Sequence, residues 1–280
     1  MTTNRIKKRS KVGDGVLQAV YICLGLTIAF PIIYAVLISF MEPSQVLAGG
    51  VNLIPKKWTL ENYKTALTSA PLMRFMLNSL ILALGASVVR LAVSSLAAFA
   101  FAFLDFPCKN VIFMVMLATI MIPADIVLVA NYRTVSSLGL INTYLGMMIV
   151  FFVSAMNIFQ LRQSFLTFAV SLKEAAHIDG CSNFKFFLTI LLPTNVSTLL
   201  TVFITAFIGT WNTYLWPLLV TNQTNMRTVQ VGITMLNFSE GTVYGPIMAA
   251  STIVMIPTLF LFFAFQKKIV AGMMSGGVKG

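Results

Sequence analysis

The chain has 280 residues, of which 58% are hydrophobic and only 10% carry a charged side chain. A soluble domain has about 25% charged residues, so these proportions exclude a soluble enzyme and intrinsic disorder. They predict instead an all-α polytopic membrane protein, because lipid offers backbone groups no hydrogen-bond partners. The net charge of +11 is then expected to reflect membrane topology, and no nucleic acid partner is predicted.

Stretches that lack Asp, Glu, Lys and Arg predict the membrane-spanning helices in chain order. A helix needs about 20 apolar residues to cross a hydrocarbon core of about 30 Å. Apart from Arg74 at the first position of the second span, two of the predicted spans contain one charged residue each, Arg90 and Asp125. The six predicted spans, which together form one transmembrane domain over residues 16–266, are 16–40, 74–103, 111–131, 143–160, 198–220 and 246–266.

The distribution of Lys and Arg between the connecting segments predicts the orientation. With residues 1–15 inside, twelve basic residues fall in cytoplasmic segments and six fall outside. Because cytoplasmic loops carry the excess of Lys and Arg, both the N-terminus and the tail of residues 267–280 are predicted to be cytoplasmic, in a bacterial cell membrane. The inner set is Arg5, Lys7, Lys8, Arg9, Lys11, Lys109, Arg162, Lys173, Lys185, Lys267, Lys268 and Lys279, and the outer set is Lys56, Lys57, Lys64, Arg74, Arg133 and Arg227.

The three cysteines and the single histidine indicate neither a disulfide framework nor a metal site. Cys23 lies inside the first predicted span, and Cys108 and Cys181 lie on the predicted cytoplasmic side, where disulfides are rare. His177 has no second ligand at a zinc-binding spacing. We therefore interpret His177 as an interfacial polar residue and predict no metal.

The predicted cytoplasmic segment before the fifth span, about residues 169–195, contains the sequence SLKEAAHIDGCSNFKFFLTILLP. Glu174, Ala175 and Ala176 favour a helix, whereas Gly180 favours a turn. We therefore expect a helix, a turn and a second helix at the membrane surface. A helix face of small residues suits insertion into a groove of another protein, but an amphipathic connector without a partner fits the same pattern.

This segment resembles the EAA loop of permease subunits of binding-protein-dependent ABC importers. Seven positions match the pattern of that loop, namely Glu174, Ala175, Ala176, Gly180, Ile190, Leu192 and Pro193, and Asp179 is also typical of it. Ala169 and Ser171 depart from it, because members often carry a proline and an acidic residue there. Three further segments resemble the carbohydrate-importer branch, and within it the second, maltose-type permease subunit: residues 53–67, 211–233 and 265–280.

The resemblance implies a transport subunit that works with several partners. These are a second, different permease subunit, a cytoplasmic ATPase homodimer and an extracellular or periplasmic substrate-binding protein. It also implies that the loop forms a coupling helix seated in a cleft of the ATPase, so that closure of the ATPase dimer rocks the spans between inward-facing and outward-facing states. The residues implied in this contact are Glu174, Ala175, Ala176, Asp179 and Gly180.

No nucleotide-binding motif of the form G-x-x-x-x-G-K-[ST] occurs in the chain. We therefore predict that this chain is not an enzyme, that it binds no cofactor, and that partner subunits bind and hydrolyse ATP. In maltose-type relatives the tail of this subunit reaches the ATPase dimer interface, which implies that role for residues 275–280. A frayed chain end fits those residues equally well.

Charged and polar side chains at membrane depth are the candidates for a substrate pathway, because burying them in lipid is costly. Arg90 and Asp125 fit either a structural ion pair or, for Arg90, a site for an anionic group. The aromatic members of the set fit either interfacial anchors or sugar-binding faces. The candidates are Arg90, Asp125, Asn131, Tyr132, Trp211, Asn212, Tyr214 and Trp216.

Residues 131–144, 161–167 and 211–222 resemble the glycerol-phosphate permeases within this family. The implied substrate is sn-glycerol-3-phosphate or a related phosphodiester or polyol, and a basic residue such as Arg90 suits a phosphate group. An oligosaccharide importer is the alternative within the family. An ATP-independent channel or secondary carrier is the alternative from another class, but a proton relay needs several intramembrane acidic residues and only Asp125 is present.

Overall fold

The computed structural model describes residues 11–47, 52–167, 170–236 and 244–275. Within these ranges the chain forms fifteen α-helices, with short 3-10 helices at residues 119–121, 149–151 and 224–226 and a π-helical turn at residues 187–191. The α-helices are α1 (Lys11–Ser39), α2 (Pro43–Leu47), α3 (Glu61–Ser69), α4 (Leu72–Phe103), α5 (Lys109–Ala118), α6 (Leu128–Ser137), α7 (Tyr144–Met148), α8 (Ala155–Leu166), α9 (Val170–Ile178), α10 (Asn183–Phe186), α11 (Leu192–Thr194), α12 (Val196–Trp211), α13 (Leu215–Val220), α14 (Val229–Ile233) and α15 (Tyr244–Ser275).

Three helices in the described part of the chain are long and apolar enough to cross a membrane. They cover Gly15–Ser39, Leu72–Phe103 and Tyr244–Gln266, close to the first, second and sixth predicted spans. Two bent pairs of helices raise the number to five if each pair is one span. The pair α7–α8 bends by 52°, and the pair of Asn183–Thr194 with α12 bends by 81°.

The third predicted span, residues 111–131, is not one continuous helix. The apolar helix there covers only Lys109–Met121. Ile122 then adopts an extended conformation with ψ 115°, as expected for a residue before proline, because the ring of Pro123 disfavours the helical conformation at the preceding position. The helix α6 begins only at Leu128, so the prediction of an unbroken span was wrong.

The fifth predicted span, residues 198–220, is also interrupted. The helix α12 ends at Trp211 and α13 begins at Leu215. Asn212, Thr213 and Tyr214 form the break between the two helices. Asn212 and Tyr214, which were predicted to lie within a regular helix, therefore lie at a break between two helices.

The described residues divide into two compact units, of which the smaller contains residues 11–47, 52–70, 236 and 244–253. Within it, the buried Asn62 side chain ties α3 to the end of α1. Its Nδ2 donates to the carbonyl oxygens of Ser39, at 3.0 Å, and Met41, at 2.7 Å. A Cβ atom at Gly245 would lie 2.5 Å from Oδ1 of Asn62, so only glycine fits beside this amide.

The larger unit contains residues 71–167, 170–235 and 254–275. Its main apolar cluster brings together the C-terminal half of α4, the helix α8 and the segment from α9 to α12. Phenylalanine rings dominate this cluster: Phe99 lies 5.1 Å from Phe187 and 6.5 Å from Phe186, and Phe101 lies 5.2 Å from Phe113, measured between ring centroids.

Buried neutral side chains hold the N-terminal part of α4. Asn78 is fully buried, and its Nδ2 donates to the carbonyl oxygens of Asn225 and Arg227, each at 2.8 Å. Its Oδ1 accepts from the hydroxyl of Tyr144 at 2.7 Å, so both N–H groups and the oxygen of this amide are satisfied. The buried Ser79 hydroxyl accepts from the backbone N–H of Val229 at 2.8 Å. An exposed Arg74 adds one further bond to the Asn225 carbonyl.

Three cations from three other helices hold the C-terminal end of α4, whose last turn contains no basic residue of its own. Arg162 Nε donates to the Phe101 carbonyl at 3.2 Å, Lys173 Nζ to that of Phe103 at 3.1 Å, and Lys109 Nζ to that of Leu104 at 2.7 Å. The last carbonyls of a helix lack partners within the helix and carry partial negative charge. We call Lys109, Arg162 and Lys173 the cation clamp.

Candidate functional site

Residues 170–194 form the predicted helix, turn and second helix. Gly180 ends α9 in the left-handed region with φ 75°. The Cys181 N–H donates to the Ala176 carbonyl at 2.9 Å and the Gly180 N–H to that of His177 at 3.1 Å, which is the hydrogen-bond pattern of a Schellman motif. The hydroxyl of Ser182 then accepts from the Lys185 N–H at 3.3 Å and caps α10. Gly180 is thus required by the backbone conformation of the turn.

The α9 side chains divide between an inner and an outer face. Ala176 is only 8% exposed and packs in the main apolar cluster. It is one of the five residues that the resemblance implied in the ATPase contact, but it faces its own chain. Glu174, Ala175, Asp179 and Gly180 are exposed. The exposed side chains thus include the carboxylates of Glu174 and Asp179 and three large apolar groups, Leu172 and Ile178 on α9 and Phe184 on α10.

An open groove of about 870 Å³ separates part of α9 from the end of α4. Lys173 and Glu174 on α9 and Phe103 on α4 are among the residues that line it. The two helices are therefore not packed along their whole facing surfaces, and Lys173 reaches across at one edge of the groove to the Phe103 carbonyl.

A second cavity, of about 570 Å³, lies among α6, the 3-10 helix at residues 149–151 and the break before α13. Four predicted pathway side chains line it: Asp125, Asn131, Tyr214 and Trp216. Asp125 is exposed and Trp216 is 4% exposed. The indole N–H of Trp216 donates to the carbonyls of Gly146 and Met147 at 3.2 and 3.1 Å, so this ring is fixed in position. Thr213 and Phe151, which the sequence reading did not single out, line the same cavity.

Arg90 lies beside the cavity wall and makes no ion pair with Asp125 among the described side chains. Its Nε donates to the Phe151 carbonyl at 2.5 Å, and its guanidinium carbon lies 5.6 Å from the centroid of the Phe151 ring. The interpretation of Arg90 and Asp125 as a structural pair was therefore wrong. The partner of Arg90 is instead the carbonyl of Phe151, the last residue of the 3-10 helix. No pattern of side chains in the sequence indicates such a backbone partner.

The remaining pathway candidates do not line this cavity. Trp211 is 2% exposed and stacks on Phe207 with ring centroids 5.8 Å apart, so it belongs to the protein interior. Tyr132 packs against a second apolar cluster. Asn212 is exposed, with its Oδ1 3.4 Å from Nε2 of Gln230. Of the eight predicted residues, the structure thus brings four together around one cavity and places Arg90 directly behind its wall.

In the part of the chain that the structure describes, no group of three or more His, Cys, Asp or Glu side chains is placed to bind a metal ion. The predicted role of residues 275–280 at the ATPase concerns a segment that lies, from residue 276 onward, outside the described residues, as does Ala169.

Comparisons with known proteins show the family to which the chain belongs. The family described as "Binding-protein-dependent transport system inner membrane component" matches residues 90–275. The sn-glycerol-3-phosphate transport system permease protein UgpE of Salmonella typhi is 35% identical over 254 residues, which are 88% of this chain and 90% of that protein. The UgpE protein of Brucella abortus (strain 2308) is 32% identical over 257 residues, 89% and 91% of the two chains.

A solved structure shares the fold. A chain in the crystal structure of a bacterial ABC transporter involved in the import of the acidic polysaccharide alginate superposes with a TM-score of 0.82 and 23% identity, covering 92% of this chain and 97% of that one. The family match covers well over half of the chain, and the identity to the two relatives extends over nearly all of it. The chain therefore belongs to the family of binding-protein-dependent transport system inner membrane components and is a multi-pass permease subunit of an ABC importer.

Proposed function

We propose that this chain, together with a second permease subunit, forms the translocation pathway for sn-glycerol-3-phosphate or a related phosphodiester or polyol. The observation that supports it best is the cavity of about 570 Å³, in which polar and aromatic side chains meet. The Asp125 carboxylate and the Asn131 amide suit the hydroxyl groups of such a solute. The rings of Tyr214 and Trp216 suit its C–H surfaces.

The charge of the cavity favours one end of the proposed solute. Asp125 contributes a carboxylate, while Lys and Arg are absent from the lining residues, and Arg90 is engaged with Phe151 outside it. A carboxylate repels a phosphate group. We therefore propose that this subunit contacts the hydroxyl-bearing end of the solute and leaves the phosphate to the second permease subunit.

The outer face of α9 is the proposed contact with the ATPase. Glu174 and Asp179 supply negative charge, and Ile178, which is 86% exposed, supplies apolar surface. An exposed apolar side chain flanked by charges is typical of a protein interface. We propose that two ATPase subunits dock there and hydrolyse ATP, and that an external substrate-binding protein delivers the solute.

We propose six membrane crossings with both termini in the cytoplasm. The crossings are the three long helices, the pair α7–α8, the helix α12 and the shorter apolar helix Lys109–Met121. Lys109, Arg162 and Lys173, which the charge distribution assigns to cytoplasmic segments, all contact the same end of α4. Their convergence supports the proposed orientation.

The substrate is tested by uptake in cells that lack only this chain, with the gene for the chain restored on a plasmid. Labelled sn-glycerol-3-phosphate is compared with glycerophosphodiesters and a panel of oligosaccharides. Restoration of glycerol-phosphate uptake is expected. Restoration of oligosaccharide uptake alone would overturn the proposed substrate and favour the sugar-importer alternative.

The ATPase contact is tested with Glu174→Ala and Gly180→Asp in the assembled transporter. Both changes are expected to abolish uptake and the stimulation of ATP hydrolysis by loaded binding protein, while the chain still inserts into the membrane. Glu61→Ala removes an exposed carboxylate on α3 and serves as the control. Normal uptake by both α9 variants, or uptake that persists without ATP, would contradict the proposal.

A further inference from the structure

We propose that Lys173 is the positioning residue that transmits the movement of α9 to α4, with Arg162 and Lys109 holding the same helix end. This inference rests on the proposed docking of the ATPase on α9. It identifies how force applied to the exposed face of α9 reaches a membrane-spanning helix.

The contact of Lys173 with α4 is double. Its Nζ donates to the Phe103 carbonyl at 3.1 Å and lies 5.3 Å from the centroid of the Phe103 ring. A charged donor on the last carbonyls of a helix makes a stronger hydrogen bond than a neutral one, and the helix dipole adds to the attraction. Both contacts involve the last residue of α4, so a displacement of Lys173 acts directly on the end of that helix.

Lys173 is also well placed to receive the movement. It precedes Glu174 of the exposed face in the sequence, and the open groove beside it leaves α9 only partly packed on the end of α4. Ala176 provides the other inward contact of α9, through apolar packing alone. Within the described side chains of α9, Lys173 therefore supplies the directional, hydrogen-bonded link to α4.

The helix α4 connects this link to the cavity. It runs without a break from Leu72 to Phe103, and Arg90 in its middle holds the carbonyl of Phe151, which lines the cavity. A continuous helix moves as a rigid element, whereas a broken one bends at the break. The chain of contacts thus runs from α9 through Lys173, Phe103 and Arg90 to Phe151.

The experiment measures solute imported per ATP hydrolysed by the complete transporter in proteoliposomes. Lys173→Met removes the donor and keeps most of the side-chain length, so this ratio is expected to fall on the order of fivefold. Lys173→Arg keeps a cationic donor and is expected to restore most of the ratio. Lys173→Gln keeps a neutral donor, and the ratio of solute imported to ATP hydrolysed is expected to fall roughly twofold. This variant decides the question if the Met variant does not assemble.

The control is Lys64→Met, which removes the same charge from an exposed side chain on α3 and is expected to leave the ratio unchanged. A wild-type ratio in Lys173→Met would overturn the role of Lys173, as would a parallel loss of uptake and ATP hydrolysis at constant ratio, which is the result of a merely structural contact. ATP-independent uptake by the wild-type transporter would instead overturn the proposed function, and the inference with it.

Discussion

The two ends of α4 are held by opposite kinds of interaction. Near its N-terminus, the fully buried amide of Asn78 satisfies three partners, and the buried Ser79 satisfies a fourth. At its C-terminus, the three partly exposed side chains of the cation clamp, each from a different helix, donate to three carbonyls at the end of α4. At both ends, side chains form hydrogen bonds with backbone groups. Of these side chains, only those at the C-terminal end are in contact with solvent.

This difference predicts different mechanical behaviour. A buried neutral network breaks at high cost, because each separated group is left without a partner. A partly exposed cation keeps access to water, so its contact with a helix carbonyl can change in length and direction at a lower cost than a buried contact. The N-terminal part of α4 is therefore a fixed attachment, and the C-terminal end is the one suited to move.

The largest expected effect is that of Asn78→Ala. The change leaves the Arg227 carbonyl and the Tyr144 hydroxyl without their partner and leaves Arg74 as the side-chain donor to the Asn225 carbonyl, at a cost of about 3 kcal/mol. We expect a clear fall in the midpoint of thermal unfolding of the purified transporter. Asn110→Ala, which changes an exposed amide, is the control, and an equal effect of both variants would contradict the fixed attachment.

Gly232→Ala is expected to come next. A Cβ at this position would lie 2.1 Å from the Phe75 ring in the first turn of α4, and overpacking of this kind costs about 1–3 kcal/mol. Gly209→Ala is the matched control, because a Cβ there meets nothing within 4 Å. The same thermal measurement should separate the two variants. If both unfold at the wild-type temperature, the N-terminal end is less tightly packed than described.

Gly180→Val is expected to have a smaller effect on stability, of about 1–2 kcal/mol, because it strains the left-handed turn without a steric clash. Gly180→Asn should cost less, since asparagine tolerates this conformation. Limited proteolysis of the loop in isolated membranes measures the difference. Equal cleavage of the two variants would show that the turn does not depend on the backbone conformation at Gly180.

The smallest expected effect is that of Lys109→Met. It removes one partly exposed hydrogen bond to the Leu104 carbonyl, worth about 0.5 kcal/mol. The nearby ion pair with Asp105, at 3.8 Å, adds little because the Asp105 side chain is fully exposed. A shift in unfolding temperature as large as that of Asn78→Ala would remove the distinction between the two ends.

The long apolar helices and the turn at Gly180 could be predicted because their causes are local. A charge-free stretch specifies a span, and a glycine after a helical pattern specifies its end. The break at Ile122 also had a local signal in Pro123, but the predicted third span included that proline. Hydrophobicity alone does not show where a helix stops within an apolar stretch.

The partners of the cations could not be predicted for a different reason. Arg90, Arg162 and Lys173 all donate to backbone carbonyls, and every residue has a carbonyl, so the sequence contains no complementary pattern. The sequence also does not distinguish the positions of Trp211 and Trp216, which both lie among apolar and polar residues of the same stretch. Trp211 lies in the interior and Trp216 lines the cavity. The helix break between them places the two rings differently.

The helix α4 is longer than the hydrocarbon core of a membrane is thick. Its 32 residues span about 48 Å at about 1.5 Å per residue, against a hydrocarbon thickness of about 30 Å. Even at a tilt of about 20°, roughly 15 Å of the helix stands outside the lipid tails. If the C-terminal end of α4 is the part that protrudes, the cation clamp would lie at the depth of the lipid headgroups, where anionic phospholipids would compete with the helix carbonyls for the same three cations. With the proposed orientation, the efficiency of import should therefore depend on the lipid composition of the inner leaflet and on ionic strength.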